Sequence, residues 1–417
     1  MLIGTLLNLS IRLRGPHPRA TEFASNYSED DLASVSYTDI DMLDAIPRNP
    51  THEGYVVIGG SGFVGSYIVR LLILRGETNV RVLDLAPPPQ DFASHPSLTF
   101  TKVDITSPSS VRSALVTPFP SGVLPSVIFH TAATIRFWER AAYTFDASHR
   151  VNKTPTGVIV VYTSSADVAI PTSRFMQLDK HYELPPWNKI IISDDDEPLR
   201  GSAAPRSSYG RSKIIAERLV LEANSVDGLR TGSLRPGQTI TGPNDRFYTS
   251  TLVFPRVPVF DSLWSHTNVC VWDVAAAHLT FEDALRRDPA NVGGEAFLIT
   301  GNGPPWSMKD SRAALKYYSR RELIFDDVQP LLVFLLAHIG QRPGLTPRWM
   351  GELIYLQPAT LEYMRDVVID DSRARKMIGY RPQWQTAQVM KYTVDQLESG
   401  NGKTDIRHGL QLSSAGS

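Results

Sequence analysis

The stretch that decides the fold is YVVIGGSGFVG, residues 55–65. Its β-branched start predicts a buried strand, and three glycines follow that strand at Gly59, Gly62 and Gly65. Glycines at these points permit a tight turn, and the next residues have the pattern of a helix. A helix N-terminus after such a turn presents N–H groups and a positive dipole to a phosphate. The spacing predicts a dinucleotide-binding turn, with a glycine-rich turn that binds nothing as the alternative.

An acidic residue ends the next predicted strand. Asp84 lies 25 residues after Gly59, where a carboxylate can accept hydrogen bonds from the ribose hydroxyls of an adenosine. Residues 85–90 contain no Lys or Arg that could receive a 2′-phosphate, so NAD is predicted in preference to NADP. Asp104 follows a third predicted strand and either contacts the adenine or caps a helix.

Apolar strands alternate with helical segments through residues 54–237, which predicts a doubly wound parallel sheet of the α/β class, the Rossmann type. Residues 238–398 contain more Pro and Trp and are predicted to be mainly a smaller C-terminal substrate-binding lobe, with a strand near 295–300 returning to the sheet. Residues 1–53 are predicted to be a disordered N-terminal extension, and residues 399–417 a flexible tail.

Composition excludes several classes of function. The chain has 417 residues, a net charge of −1 and a pI of about 6.8, so nothing favours nucleic acid as a partner. The single cysteine, Cys270, excludes an intramolecular disulfide and a Cys-based zinc site, and no metal is predicted. The N-terminus is interpreted as a tail and not a signal peptide, which favours a cytoplasmic location. The apolar run PLLVFLLAHIG, residues 330–340, is either a core helix of the lobe or an in-plane membrane segment.

A tyrosine and a lysine four residues apart occur in SSYGRSK, residues 207–213. On a helix they share a face, so the Lys213 ammonium could lie near the Tyr209 hydroxyl and lower its pKa. Tyr209 would then be a usable general base, the alternative being two ordinary surface residues.

Small and hydroxyl-bearing residues end two predicted strands. HTAA, residues 130–133, leaves room for a flat cofactor or permits close helix–sheet packing. VYTSSADV ends the fifth strand with Ser164 and Ser165. A serine at this edge can stabilise charge on a substrate oxygen, although serines also form ordinary turns.

In this order, and followed by LRPGQTITGPND, the motifs resemble the extended short-chain dehydrogenase/reductase superfamily. More narrowly, VIGGSGFVG, HTAA, VYTSSADV, NVCVWDVAAAHL and GGEAFLITGNGPPWSMKD resemble the branch that contains 3β-hydroxysteroid dehydrogenases and sterol-4α-carboxylate 3-dehydrogenases (decarboxylating). The resemblance runs from Tyr55 to Leu397. It implies NAD-dependent oxidation of a 3β-hydroxyl on a sterol, steroid or related terpenoid, with loss of CO₂ where C4 carries a carboxylate.

The resemblance also implies roles for individual residues. Ser165 aligns with the catalytic serine, Tyr209 with the general base and Lys213 with its partner, while Asn152 matches an asparagine of a proton relay. It further implies a homodimer and a peripheral contact with the endoplasmic reticulum membrane. The cofactor-binding residues that it implies are Gly59, Gly62, Phe63, Val64, Gly65, Asp84, Asp104, Ala132, Tyr209, Lys213, Pro236 and Gly237.

One departure from the family pattern concerns Asn152 and Ser165, which are only 13 residues apart. A parallel crossover needs a dozen or more residues, and Ala133 to Val158 supplies them if residues 136–151 form the crossover helix. The family places a helix from this region against the catalytic one, so its loss could displace Tyr209. A catalytically impaired NAD-binding protein is therefore one alternative. Another is a different extended-family reaction, such as nucleotide-sugar epimerisation or flavonoid-type ketone reduction. A sugar diphosphate would need cations, and residues 250–275 offer few beyond Arg256 and His266.

Overall fold

The protein is built around a seven-stranded parallel sheet. The computed structural model describes residues 27–133, 157–170, 191–192, 208–224, 228–245, 247–262, 264–340 and 367–399. The sheet strands are β1 (Gly54–Ile58), β2 (Val80–Asp84), β3 (Leu98–Lys102), β4 (Pro125–His130), β5 (Ile159–Thr163), β7 (Arg230–Pro236) and β12 (Glu295–Ile299).

The strand order is β12-β7-β5-β4-β1-β2-β3, so the connections reverse direction between β1 and β4. In doubly wound sheets this reversal opens a crevice at the carboxyl ends of the strands, where ligands bind. The predicted doubly wound parallel sheet is therefore confirmed. The strand predicted near 295–300 is β12, which pairs with β7 at one edge. Strand β5 pairs directly with β4, so the two strands are neighbours despite the short separation of Asn152 and Ser165 in the chain. Residues 134–156, which connect them, lie outside the described residues.

Helices cover both faces of the sheet. Helix α6 (Val271–Arg287) is buried along most of its length and packs against α2 (Phe63–Arg75) and against strands β5 and β7. It therefore contacts both the helix that follows the glycine turn and the strand that precedes the two serines. The helices are α1 (Glu29–Ala33), α2 (Phe63–Arg75), α3 (Pro108–Val116), α4 (Ser208–Glu222), α5 (Tyr248–Val253), α6 (Val271–Arg287), α7 (Pro289–Val292), α8 (Met308–Tyr318), α9 (Pro330–Gly340), α10 (Ser372–Met377) and α11 (Thr386–Ser399).

Outside the main sheet, the described residues contain four pairs of short strands. Strands β8 and β11, β9 and β14, and β6 and β15 pair in parallel, and β10 and β13 pair antiparallel. Their bounds are β6 (Ile191–Ile192), β8 (Thr239–Thr241), β9 (Arg256–Val259), β10 (Ser265–His266), β11 (Asn268–Cys270), β13 (Trp306–Ser307), β14 (Ile324–Asp327) and β15 (Val368–Ile369).

The apolar run at 330–340 forms helix α9. Val333 and Ala337 are buried, whereas Leu332 and Leu336 are exposed. Within the described ranges, no helix combines the length and the apolar character that crossing a bilayer requires.

The disorder predicted for residues 1–53 is wrong for residues 27–53, which are folded against the core. This segment contains α1 and a 3₁₀ turn at Met42–Ala45, and the Met42 side chain is fully buried. The Trp384 indole N–H donates to the Met42 sulfur at 3.1 Å. The segment has too little periodicity to predict an element, but its scattered apolar residues find partners distant in sequence. Residues 1–26 lie outside the described residues.

Gly232 lies on β7 where the ring of Phe281, on α6, packs against the strand. A Cβ atom at residue 232 would lie 2.1 Å from Phe281 Cζ. We expect Gly232→Ala to lower the free energy of unfolding by about 1–3 kcal/mol through overpacking. Urea denaturation measures this change. Phe281→Leu should relieve part of it, so the double variant should be more stable than the sum of the two single effects. Strictly additive effects would contradict the close contact.

Candidate active site

The dinucleotide turn brings β1, α2 and β4 into close backbone contact. Gly59 has φ +83°, and a Cβ atom there would lie 2.6 Å from the Ala132 nitrogen. A Cβ atom on Gly65 would lie 2.2 Å from the Gly59 carbonyl oxygen and 2.7 Å from Thr131 Oγ1. Gly62 is the N-cap of α2 and provides no side-chain cap. The glycines thus allow an approach that side chains would block.

Asp84 joins the end of β2 to this turn. Its carboxylate accepts a hydrogen bond from the Ser61 N–H at 3.1 Å, and from the N–H groups of Leu85 at 2.7 Å and Ala86 at 3.2 Å. Ala132 lies opposite, with its N–H donating to the Ile58 carbonyl at 3.1 Å. Asp84 and Ala132 therefore border the glycine turn on its two sides.

Three other residues predicted to bind the cofactor differ in their surroundings. Phe63 and Val64 begin α2, and their side chains are partly buried against the core. Any contact of these two residues with a ligand would therefore come from the main chain at the start of the helix. Asp104 is exposed, and its carboxylate accepts hydrogen bonds from the Thr106 N–H and hydroxyl. These bonds lower the pKa of Asp104. The N-cap of α3 is Ser107, so the predicted helix cap is wrong, and the adenine contact stays a prediction.

Ser165, Tyr209 and Lys213 lie together at the carboxyl end of β5. Ser165 follows the strand as the N-cap of a 3₁₀ turn, and its side chain accepts a hydrogen bond from the Asp167 N–H at 3.2 Å. The Ser165 side chain also lies close enough to the Tyr209 phenol to affect its pKa. Tyr209 and Lys213 occupy the first two turns of α4, and the Lys213 Nζ is 5.7 Å from the centre of the Tyr209 ring. The phenol, the amine and the alcohol converge.

The electrostatics of Tyr209 differ from expectation. Burial raises the pKa of Tyr209 well above its ordinary value, the Asp167 charge adds to this, and the Ser165 side chain opposes it. The predicted lowering by Lys213 is wrong for the protein alone, because loss of water outweighs the other contributions. A nearby positive charge is therefore essential if this phenol is to lose its proton near neutral pH.

Lys213 is almost completely enclosed. Its ammonium donates to the Thr163 carbonyl oxygen at 2.6 Å and lies 4.9 Å from the centre of the Tyr162 ring. Burial lowers the pKa of Lys213 to about 7, against the opposing effects of Glu217 and then of Asp167. The amine is thus close to half-protonated at neutral pH.

The remaining predicted residues are placed as follows. Pro236 ends β7 opposite Ile299, and the Gly237 N–H donates to the Ile299 carbonyl at 2.9 Å. The hydroxyl of Ser164 is buried and has no hydrogen-bond partner among the described residues. Asn152 lies outside the described residues.

These observations fit a bound dinucleotide. The start of α2 has no side-chain cap, a Cβ atom on Gly62 would meet only the Gly59 carbonyl oxygen at 3.2 Å, and the buried Ser164 hydroxyl lacks a hydrogen-bond partner among the described residues. The described residues include no cluster of three or more His, Cys, Asp or Glu side chains that could hold a metal ion.

Sequence reasoning missed several buried polar groups around Lys213. Glu217, one turn further along α4, forms a bidentate ion pair with Arg235 on β7. His130 ends β4 with its ring 5.5 Å from that of Tyr162, and burial, then the Lys213 charge, lowers its pKa to about 4. His278 on α6 contacts Thr163. The one sequence signal for these groups is a polar residue inside an otherwise apolar strand or helix.

A sequence profile described as the 3-beta hydroxysteroid dehydrogenase/isomerase family matches residues 56–316. The chain belongs to this family. The match spans the dinucleotide turn, the serine pair and the tyrosine–lysine helix, so the predicted resemblance to extended short-chain dehydrogenases of this branch is confirmed.

Curated relatives are similar along most of their length. A 3-beta-hydroxysteroid dehydrogenase from Mycolicibacterium neoaurum is 27% identical over 368 residues, covering 82% of this chain and 91% of that protein. A decarboxylating sterol-4-alpha-carboxylate 3-dehydrogenase from Candida albicans is 23% identical over 382 residues, covering 82% of this chain and 97% of that protein.

Solved structures share the fold. A UDP-galactose 4-epimerase superposes with a TM-score of 0.55 at 20% identity, covering 83% of this chain and 99% of that one. A dTDP-glucose 4,6-dehydratase from Bacillus anthracis, in complex with NAD, superposes with a TM-score of 0.56 at 16% identity, covering 85% and 99%. At these identities the likeness establishes the fold alone.

The buried amine makes stability depend on pH. The pKa of Lys213 is about 7 in the folded chain, whereas an unfolded lysine has a pKa of about 10.4. Between these values the unfolded chain binds a proton that the folded chain has released, so stability rises with pH. We expect the free energy of unfolding of the wild type, relative to Lys213→Met, to increase from about pH 6 to about pH 9. Urea denaturation at each pH measures it.

Lys309→Met, which removes an exposed lysine, is the control for this comparison. If the difference in the free energy of unfolding between the wild type and Lys213→Met stays constant over this pH range, the lowered pKa of Lys213 is contradicted.

The position of Asp84 predicts how cofactor preference can be changed. Leu85, next to it, is 61% exposed and could carry a cation for a 2′-phosphate. We expect Asp84→Ser with Leu85→Arg to weaken NAD binding about ten-fold and to strengthen NADP binding, because a carboxylate is replaced by a cation at the ribose. Titration calorimetry with each dinucleotide measures both affinities. Unchanged preference would show that the ribose lies elsewhere.

Proposed function

We propose that the protein is an NAD-dependent dehydrogenase that oxidises a 3β-hydroxyl group on a sterol, steroid or related terpenoid. The observation that carries this proposal is the convergence of the Ser165 side chain, the Tyr209 phenol and the buried amine of Lys213. This trio lies at the carboxyl edge of the sheet, in a chain of the 3-beta hydroxysteroid dehydrogenase/isomerase family.

Each side chain has a distinct part in the proposed reaction. Bound nicotinamide would supply the acceptor for a hydride from the alcohol carbon. Tyr209 takes the hydroxyl proton as general base, and Ser165 donates a hydrogen bond to the same oxygen as it becomes a carbonyl. Because burial makes the Tyr209 phenolate costly, the protonated Lys213 is needed nearby to offset that cost.

The dinucleotide would be held at the opposite side of the crevice. The glycine turn and the start of α2 would bind its pyrophosphate, and Asp84 its adenosine ribose. The carboxylate and the absence of cations at residues 85–90 favour NAD over NADP.

The substrate class is supported by the relatives and by the charges of the C-terminal part. Relatives named as 3-beta-hydroxysteroid and sterol-carboxylate dehydrogenases align over most of this chain. The two basic residues considered for a sugar diphosphate are both engaged elsewhere. Arg256 pairs with Asp326 on the adjacent strand, and His266 is buried in β10 opposite Trp306. An apolar alcohol therefore fits better than a sugar nucleotide.

Decarboxylation depends on the substrate and not on a further protein group. If a carboxylate lies β to the new ketone, CO₂ leaves because the carbonyl accepts the electrons as an enolate. The homodimer and the peripheral contact with the endoplasmic reticulum membrane stay predictions.

Tyr209→Phe should lower kcat for NADH formation at least about a thousand-fold, because it removes the base while keeping the ring. NAD affinity should change less than about three-fold, since the turn at Gly59 is untouched. NADH absorbance with a 3β-hydroxysterol, a 4-carboxysterol and a 3β-hydroxysteroid measures turnover, and product analysis after incubation with a UDP-sugar tests epimerisation, which releases no NADH.

The matched control is Tyr380→Phe, which removes another buried phenol hydroxyl, one that donates to the Thr300 carbonyl at 2.6 Å. It should leave kcat within about two-fold of the wild type. Turnover by Tyr209→Phe equal to the wild type would refute the assignment. A wild-type protein that binds NAD but oxidises none of the alcohols would support the alternative of a catalytically impaired binder.

A further inference from the structure

A chain of three buried hydrogen bonds connects helix α6 to the amine of Lys213. The Nδ1 atom of His278 is 2.7 Å from the Val274 carbonyl oxygen, and its Nε2 atom is 2.7 Å from Thr163 Oγ1. The main-chain carbonyl of Thr163 accepts the hydrogen bond from Lys213 Nζ at 2.6 Å. Thr163 thus contacts His278 with its side chain and Lys213 with its main chain.

The direction of each hydrogen bond follows from the chemistry of the groups. A carbonyl can only accept, so His278 Nδ1 carries the proton. Burial lowers the pKa of His278 to about 4, so the ring is neutral at physiological pH and Nε2 is an acceptor. The Thr163 hydroxyl therefore donates to Nε2. Each hydrogen bond in the chain therefore has one possible direction.

The chain is also held in place by its packing. His278 is fully buried, and its ring meets the Phe129 ring edge-on at 5.8 Å. Thr163 and Lys213 are buried as well. The imidazole holds the Thr163 side chain, and the Ser164 N–H, which belongs to the same peptide as the Thr163 carbonyl, donates to the Leu234 carbonyl at 2.7 Å. Both hydrogen bonds help to hold residue 163 where its carbonyl meets the amine.

Other charged groups around Lys213 come from several elements. Glu217 lies on the same helix, but Arg235 on β7 binds both of its carboxylate oxygens. Asp167 acts from the 3₁₀ turn, and His130 acts from β4. Among the described residues, the direct hydrogen bond of the ammonium goes to the neutral carbonyl of Thr163.

We propose that His278 is a positioning residue that, through Thr163, holds the Lys213 ammonium where it acts on Tyr209. This inference rests on the proposed roles of Tyr209 and Lys213. It assigns a function to a histidine that contacts neither the phenol nor Ser165 through any of the hydrogen bonds described above.

The loss of His278 has a defined consequence. Without its Nε2 acceptor, the buried Thr163 hydroxyl loses its partner, and residue 163 is held by the Ser164–Leu234 hydrogen bond without the support of the side chain, so the carbonyl can shift relative to the amine. The ammonium then loses part of its hydrogen bond inside the same enclosed space, which favours the uncharged amine. A less charged Lys213 makes phenolate formation at Tyr209 harder, so the rising limb of the pH–rate profile should move to higher pH.

Three variants test the chain. His278→Phe keeps a ring but removes both nitrogens, Thr163→Val removes the hydroxyl but keeps the carbonyl, and His278→Gln restores an acceptor for Thr163. Thr280→Val is the matched control, because Thr280 lies on the same helix and its buried hydroxyl donates to Ala276 and Ala45 at 2.9 Å and 3.2 Å. Kinetics with NAD and the best alcohol substrate are measured across pH, with thermal denaturation of each variant.

We expect His278→Phe and Thr163→Val each to lower kcat about ten-fold and to raise the pH of the rising limb by about half a unit to one unit. The KM for NAD should stay within about two-fold of the wild type, and His278→Gln should recover most of kcat. Thr280→Val should change neither kcat nor the pH profile. Loss of kcat without the pH shift, or the same shift in Thr280→Val, would overturn the proposal. If His278→Phe does not fold, Thr163→Val alone decides.

A second measurement separates this proposal from the proposed function. In protein labelled with ¹³C at the lysine ε-carbons, the Lys213 signal is assigned by its absence in Lys213→Met, and its titration is followed by NMR. His278→Phe or Thr163→Val should lower the pKa of Lys213 by about half a unit relative to Thr280→Val. If the wild type oxidises no alcohol, the proposed function fails, yet this shift still supports the positioning role. An unchanged Lys213 pKa overturns the positioning role whatever the activity.

Discussion

The candidate site depends on a cation that is held away from water. An ammonium as enclosed as that of Lys213 is unfavourable unless the surrounding groups compensate it, and here they do so incompletely. One carbonyl contacts it directly, two aromatic rings face it, and the carboxylate of Glu217 is shared with Arg235. Partial compensation leaves the amine able to gain or lose its proton near neutral pH, which a fully paired lysine could not do.

The parallel sheet explains why the buried amine of Lys213 can lie near the glycine turn that follows β1. Strands β1, β4 and β5 are neighbours, so their carboxyl ends lie side by side. The turn after β1, the small residues after β4 and the serines after β5 therefore share one edge. Helix α6 packs against α2, where the Trp272 ring meets the Tyr67 ring edge-on, and against the end of β5, where His278 contacts Thr163. One buried helix thus supports both the cofactor side and the chemical side of the crevice.

Local patterns predicted much of this arrangement. The strand–turn–helix pattern around Gly59 and the four-residue spacing of Tyr209 and Lys213 are local geometry, and alternating strands and helices predict a parallel sheet. What could not be predicted depends on tertiary contacts. The raised pKa of Tyr209 comes from burial, which no spacing reveals. A lone histidine in an apolar helix, such as His278, cannot be told from an ordinary core residue until its partner on another strand is known.

The folded N-terminal segment has a consequence for synthesis. Met42 and its contact Trp384 are 342 residues apart in the chain. At about 5–20 residues per second, roughly 20–70 seconds pass between the emergence of these two residues from the ribosome. During that interval the Met42 side chain lacks the indole that later contacts it, so the nascent chain exposes an apolar segment that chaperones can bind. The segment around Met42 therefore reaches its final place only after Trp384 has been made.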